Sequence, residues 1–151
     1  MISSCQRRRA LITGVTGQSG SYLVELLLQK GYEIHGLQHR AYELASLHPE
    51  IAGLLPRIIL HRASVEDAEA LNKIVAAVQP DECYHLAASS SVSYDPERER
   101  LTLATNITGT LNLLSAIRAA APNCKVCLAC SSEIFGNPAT SPQQETSPRH
   151  P

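Results

Sequence analysis

Along the 151-residue chain, short apolar runs alternate with longer stretches whose apolar residues recur at helical spacing. Ala10–Thr13 is an apolar run closed by a glycine-rich turn and predicts a first strand. Ser19–Lys30 follows with Leu23, Leu26 and Leu27 on one face and Val24 and Leu28 widening it, a helix that Gly31 stops. Glu33–Leu37 and Arg57–His61 predict the second and third strands. Ser64-x-x-Asp67 predicts the next helix start as a near capping box, and Glu66, Asp67 and Glu69 favour its positive end. That helix runs to Val78 and is closed by Pro80. Glu82–Ala88 predicts a fourth strand, Pro96 to Ala121 a long helix stopped by Pro122, and Lys125–Cys130 a fifth strand. Residues 39–56 form the long connection, with room for a short helix over Leu44–Leu55. The tail from Gly136 carries Pro142, Pro148 and Pro151 and reads as loop.

Strand–helix alternation of this kind predicts an α/β fold with a parallel sheet covered on both faces, a doubly wound three-layer αβα domain. The expected strand order is 3-2-1-4-5 with right-handed crossovers, and the ligand crevice falls between strands 1 and 4, where the order reverses. No internal repeat or linker divides the chain, so residues 1–151 are read as one domain ending after the fifth strand.

Composition narrows the function. Hydrophobic residues are 44% and charged residues 18%, a globular balance rather than a disordered one. With 13 Lys and Arg against 14 Asp and Glu, five Tyr and one Phe, the chain lacks the basic, aromatic footprint of a nucleic-acid binder. Its apolar runs are far shorter than a membrane helix requires, and the basic cluster Arg7–Arg9 has no apolar stretch of a secretory signal behind it. The expectation is a cytoplasmic protein without membrane or nucleic-acid partners. Five cysteines, an odd number, argue against a disulfide scaffold. Cys124, Cys127 and Cys130 fall on the fifth strand, where residues three apart point to opposite faces about 10 Å apart and do not converge on a metal.

The strongest motif is Gly14-Val15-Thr16-Gly17-Gln18-Ser19-Gly20, between the first strand and the first helix. This is the context of a Rossmann-type dinucleotide fingerprint, spaced G-x-x-G-x-x-G. Gly14 permits the tight turn, Gly17 lets backbone approach a pyrophosphate, and Gly20 lets the helix pack close to the sheet. The helix N-terminus then offers unpaired N–H groups and partial positive charge to phosphates. At the end of the second strand, Leu37-Gln38-His39-Arg40 holds no acid for ribose hydroxyls. Arg40, with His39, suits a 2′-phosphate, which favours NADP over NAD.

The glycine spacing, His85-Leu-Ala-Ala88 at the fourth strand and Asn106-Ile-Thr-Gly-Thr110 on the long helix together resemble the extended short-chain dehydrogenase/reductase family. Residues 10–37, with Gly-Gln-Ser-Gly-Ser-Tyr-Leu at 17–23, and Ser131–Gly136 resemble its GDP-mannose 4,6-dehydratase group more specifically. The resemblance implies cofactor contacts at Gly14, Thr16, Gly17, Gln18, Ser19 and Gly20, with Arg40 at the phosphate end. It places Ser64 and Val65 beside the adenine, and Leu86, Ala87, Ala88 and Ser90 along the path to the nicotinamide. Ser64 stands where the family has Asp and also suits a helix cap; Ser89 replaces Gln, and Leu101 replaces Tyr.

Ser131 and Glu133 lie two apart just after the fifth strand; extended backbone there directs both to the side facing the crevice. By the resemblance, Ser131 takes the place of a Thr that hydrogen-bonds the oxygen on sugar carbon 4, and Glu133 is the general acid and base at carbons 5 and 6. The resemblance also implies a Tyr-x-x-x-Lys pair on a later helix. This chain has no Tyr after Tyr94 and no Lys after Lys125. The expectation is therefore the cofactor-binding half of a nucleotide-sugar dehydratase, without its substrate domain and inactive alone. A nucleotide-sugar epimerase or 4-keto reductase is the alternative on the same frame. A non-catalytic NADP-binding or interaction module, with surfaces open to homo-oligomer formation, is the alternative of another class. Asn106-Ile-Thr108 is read as a buried helix Asn rather than a glycosylation site, and His85 as a core or edge residue.

Overall fold

Five parallel strands make one sheet in the order β3-β2-β1-β4-β5, the order expected from the alternation. The structure, a computed structural model, describes residues 7–39, 49–89 and 95–151. In chain order the elements are β1 (Arg9–Thr13), α1 (Gln18–Gln29), β2 (Glu33–Gln38), α2 (Pro49–Leu54), β3 (Ile59–Arg62), α3 (Ala68–Val78), β4 (Glu82–His85), α4 (Pro96–Leu103), α5 (Thr110–Ala120) and β5 (Lys125–Leu128). A π-helical segment, Ala104–Gly109, joins α4 to α5, and short 3-10 turns occupy Leu55–Arg57 and Ser132–Phe135.

Alternation along the strands builds two cores. Leu11, Leu37 and Cys83 pack with Leu71 and Val75 of α3 and Leu113, Ala116 and Ile117 of α5. Ala10, Ile12 and Ile34 point the other way, onto Val24 and Leu27 of α1 and Ile51 of α2. Each strand of the sheet centre thus buries both faces, as a covered parallel sheet requires. In register, Thr13 at the end of β1 stands between Leu37 of β2 and His85 of β4. The C-terminal ends of these three strands are level, so the segments that follow them meet at one edge of the sheet.

Several boundaries differ from the expected ones for local reasons. The third strand begins at Ile59, two residues late, because Leu55–Arg57 forms a 3-10 turn with Pro56 near its start. The fourth and fifth strands end early, at His85 and Leu128. The long helix is interrupted by the π segment. The cap of α3 is a correction: Asp67, not Ser64, caps it, its carboxylate accepting from the Ala70 N–H at 3.0 Å. Ser64 lies four residues before Ala68 and is out of reach of that role. Of the region expected to hold a helix over Leu44–Leu55, residues 44–48 lie outside the described residues, and Pro49–Leu54 is helical.

β5 is an edge strand of the described sheet, with Val126 and Leu128 substantially exposed. Leu101, Leu103, Ile107, Leu111 and Leu114 expose an apolar stripe along α4, the π segment and α5. Among the described residues no helix is long and apolar enough to cross a membrane.

Candidate functional site

The glycine turn owes its shape to two backbone constraints. Gly14 has φ +69°, and a Cβ there would lie 2.8 Å from Ala87 N and 2.9 Å from Leu86 O. The turn is therefore wedged against the segment leaving β4, and only glycine fits. A Cβ on Gly20 would fall 2.5 Å from Gly14 O and 2.8 Å from Val15 O. Gly20 thus seats the helix on its own turn, rather than on the sheet as expected. Gly17 is exposed and serves as the N-cap of α1 without a side-chain hydrogen bond.

The N-terminus of α1 is chemically unlike those of α3 and α4. Asp67 caps α3 and Glu69 sits in its first turn; Asp95 caps α4, with Glu97 and Glu99 behind it. The first turn of α1 has no acid and no side-chain cap. Thr16, Gln18 and Ser19 surround it, and Gln18 and Ser19 are exposed. The Ser21 hydroxyl turns inward and donates to Gln18 O at 2.7 Å. A helix end left positive and open in this way fits an anion such as a pyrophosphate.

The loop after β3 forms a second wall. Asn112 of α5 donates from Nδ2 to Val65 O at 3.3 Å and to Glu66 O at 3.1 Å. The Thr105 hydroxyl donates to Glu66 Oε1. Val65 is buried against Gly109, where a Cβ would come within 2.5 Å of its Cγ2. The loop is thereby pinned to the helix. Within it the Ser64 Oγ is buried and has no hydrogen-bond partner among the described residues. An orphaned buried hydroxyl costs stability unless something supplies its partner.

The segment after β4 is the third wall. Leu86 and Ala87 are half-buried and Ala88 is exposed. The Ala87 N–H donates to Thr13 Oγ1 at 3.1 Å. Asn106 holds the next residue, its Oδ1 accepting from Ser89 N at 2.8 Å. Asn106 is exposed, not buried as expected, and its amide is committed to this loop. Ser90 and Arg40 lie outside the described residues. Gln38 is buried at the end of β2, and His39 beyond it is exposed.

Ser131 and Glu133 share a cleft with Asn106, Thr110, Leu128 and Ile134. The route by which they share it differs from the one expected. Ser131 is itself extended, with φ −72° and ψ 145°, but the backbone turns into a 3-10 helix from Ser132, which Ser131 caps, its Oγ accepting from Glu133 N at 3.2 Å. Sequence reasoning missed Thr13, Asn112 and Thr110, polar residues that tie the walls together. Thr13 directly precedes Gly14, and the other two fall on the Asn106–Asn112 stretch, so their positions were visible but their partners were not.

Burial sets the titration behaviour. It pushes the Cys83 thiol up to about 12 and, with Asp81 and Glu82 adding, the Cys124 thiol to about 11. Burial also lowers the imidazoles of His61, where His35 adds to the effect, and His85. Among the described residues no group of three His, Cys, Asp or Glu side chains is placed to hold a metal.

A parallel sheet of this order, with a glycine turn at the switch between β1 and β4 and an open helix N-terminus above it, defines the Rossmann class of doubly wound domains. The family model for GDP-mannose 4,6 dehydratase matches residues 11–151, and the chain belongs to that family. It is 40% identical to GDP-mannose 4,6-dehydratase of Vibrio cholerae over 152 residues, covering 96% of this chain and 41% of that protein. It is 41% identical to GDP-mannose 4,6 dehydratase 2 of Arabidopsis thaliana over 155 residues, with the same two shares, 96% and 41%. The chain thus spans about two-fifths of the length of these curated relatives. Among solved structures it is similar to the Bordetella bronchiseptica enzyme WbmH in complex with NAD+, with TM-score 0.77 and 27% identity over 96% of this chain and 46% of that one. It is also similar to the UDP-glucose 4-epimerase of Thermus thermophilus in complex with NAD, with TM-score 0.75 and 29% identity over 95% of this chain and 44% of that one.

Proposed function

We propose that residues 1–151 form the NADP-binding half of a nucleotide-sugar dehydratase that converts GDP-mannose to GDP-4-keto-6-deoxymannose. The observation that carries the reading is the uncapped, acid-free N-terminus of α1 above the Gly14 turn, where α3 and α4 are each capped by Asp. Gly14, Thr16, Gly17, Gln18, Ser19 and Gly20 hold the pyrophosphate through main-chain N–H groups and short side chains. Ser64 and Val65 flank the adenine, and the orphaned Ser64 hydroxyl gains its missing partner there. Leu86, Ala87, Ala88 and Ser90 line the way to the nicotinamide. Arg40, with no acid at the end of β2, selects the 2′-phosphate and hence NADP; the relatives of known structure named above carry NAD.

NADP held by these residues would supply the hydride chemistry, withdrawing hydride at sugar carbon 4 and restoring it at carbon 6. Ser131 hydrogen-bonds the carbon-4 oxygen. Glu133 takes the carbon-5 proton, made acidic by the neighbouring ketone, and gives a proton to the hydroxyl leaving carbon 6. The Tyr-Lys pair that the family resemblance assigns to carbon-4 deprotonation is not among these residues. The chain therefore contributes cofactor binding and the Ser131–Glu133 part of the site, and the sugar nucleotide and the complete reaction belong to the longer protein.

Product analysis of that longer protein tests the reaction. GDP-mannose converted to a 4-keto-6-deoxy sugar with NADP supports it, whereas an inverted or merely reduced sugar assigns the chain to an epimerase or 4-keto reductase.

A further inference from the structure

His85 sits at the centre of a continuous hydrogen-bonded chain that no role above uses. The Ala87 N–H donates to Thr13 Oγ1 at 3.1 Å, and Thr13 Oγ1 lies 2.6 Å from His85 Nδ1. On the other side of the ring, His85 Nε2 lies 3.0 Å from Thr110 Oγ1, which donates to Asn106 O at 2.7 Å. Asn106 in turn donates from Nδ2 to Ser89 O at 3.0 Å. Thr13 is fully buried and His85 is 3% exposed, so water is no substitute for these partners.

The proton count fixes the direction. A carbonyl only accepts, so the single hydrogen of Thr110 is committed to Asn106 O. Thr110 Oγ1 must then accept from the ring, which places a hydrogen on His85 Nε2. Thr13 Oγ1 already accepts from Ala87, and its own hydrogen finds His85 Nδ1, which is therefore bare. The chain runs Ala87 to Thr13 to His85 to Thr110 to Asn106, one donor at each step.

We propose that His85 is a positioning residue of the cofactor crevice. Its neutral Nε2–H tautomer joins the glycine turn, the Leu86–Ala88 wall and the Asn106–Thr110 turn into one strut, and cofactor affinity depends on this imidazole staying uncharged. The affinity claim rests on the cofactor reading above; the strut does not. A second proton on Nδ1 would face Thr13 Oγ1, leaving two donors in contact unless the Thr13 hydroxyl turns away from its acceptor. The Ala87 contact, and the wall that abuts Gly14, then loosen. The groups around the ring offer a charged imidazole no compensation. On β4 the titratable neighbour on the same face is Cys83, held as a thiol by burial. From β1 and α5 the ring meets Thr13 and Thr110, and on β5 the register partner of His85 is Leu128. Glu133 lines the cleft that Thr110 and Leu128 also line, and burial alone lowers the imidazole.

Nitrogen-15 histidine NMR and calorimetry with NADP test this together, on the wild type, His85→Asn and Thr110→Val. In Asn the side-chain oxygen takes the place of Nδ1 and still accepts from Thr13, but it does not titrate. NMR should show His85 as the Nε2–H tautomer, holding it as the pH falls below the ordinary imidazole range, and Thr110→Val should release that preference. As pH falls through the lower range in which NMR shows His85 gaining its second proton, NADP affinity of the wild type should fall by about tenfold more than that of His85→Asn, the loss of one buried hydrogen bond. Titration of the 2′-phosphate is common to both proteins and cancels. An Nδ1–H tautomer, or ordinary titration of His85, overturns the strut. Equal pH slopes in wild type and His85→Asn overturn the link to affinity. Failure of NADP to bind the folded wild type at pH 8 overturns the cofactor reading and the affinity claim with it, and the NMR signature then decides the strut by itself.

Discussion

Asn106 grips the main chain of Ser89 with both ends of its amide: Oδ1 accepts from Ser89 N at 2.8 Å and Nδ2 donates to Ser89 O at 3.0 Å. One side chain on the helical π segment thus fixes a loop seventeen residues earlier in the chain. Asn106→Asp keeps the acceptor and loses the donor. It should cost about 1 kcal/mol and speed hydrogen exchange of the Ser89 amide, and unchanged exchange would deny the grip.

Gly14→Ala meets two obstacles, a φ of +69° and a Cβ position 2.8 Å from Ala87 N. The variant should lose about 2–4 kcal/mol in denaturant unfolding. A loss under about 1 kcal/mol would mean that the turn and the β4 segment are not in contact.

Asp67→Ala and Ser64→Ala separate the cap from the orphan. Asp67 caps α3, so its removal should cost about 1 kcal/mol. Ser64 Oγ is buried with no partner among the described residues, so Ser64→Ala should leave unfolding stability unchanged or raise it. The same variant should weaken NADP binding if the hydroxyl reaches the adenine. A stability loss for Ser64→Ala like that of Asp67→Ala would restore the capping role to Ser64.

Stability should fall in mild acid. Burial lowers the imidazoles of His61 and His85 in the folded chain. A base with a lowered folded value binds fewer protons folded than unfolded. Its contribution is full above the ordinary imidazole value of about 6.5 and is lost as pH falls below it, through the folded values. Urea midpoints should therefore drop between pH 7.5 and pH 5, and less steeply in His61→Gln. Equal slopes would exclude His61 as a contributor.

Ser131 and Glu133 are tested in the longer protein. Glu133→Gln should lower kcat by about a hundredfold or more, as loss of a general acid and base does, with a smaller change in KM. Ser131→Ala also removes the cap of the Ser132–Phe135 turn and should affect both. Near-normal turnover in Glu133→Gln would reassign the proton transfers.

The strand order was legible because apolar runs and helical stripes alternate without ambiguity from Ala10 to Val126. The glycine turn was legible because its function is local: three glycines and a helix start lie within seven residues. What escaped was set by contacts distant in sequence. The 3-10 turn at Ser131 follows from its bond to the Glu133 N–H, while the letters Ser-Ser-Glu fit extended chain equally well. The Ser64 hydroxyl looked like a cap by spacing, but Asp67 is nearer the first turn and won it. The longest-range bond of the strut through His85 joins residues 74 apart, Thr13 and Ala87, which no local pattern encodes.

Calorimetric titration with NADPH and then NADH, on the wild type and on Gly17→Val, tests the central claim most directly. Gly17 has φ −77° and ψ 169°, which valine adopts readily, so the variant should fold. NADPH should bind the wild type, NADH should bind it more weakly, and Gly17→Val should lose both as the new side chain shields the open end of α1. A folded wild type that binds neither nucleotide, or a variant that binds as the wild type does, would contradict the claim.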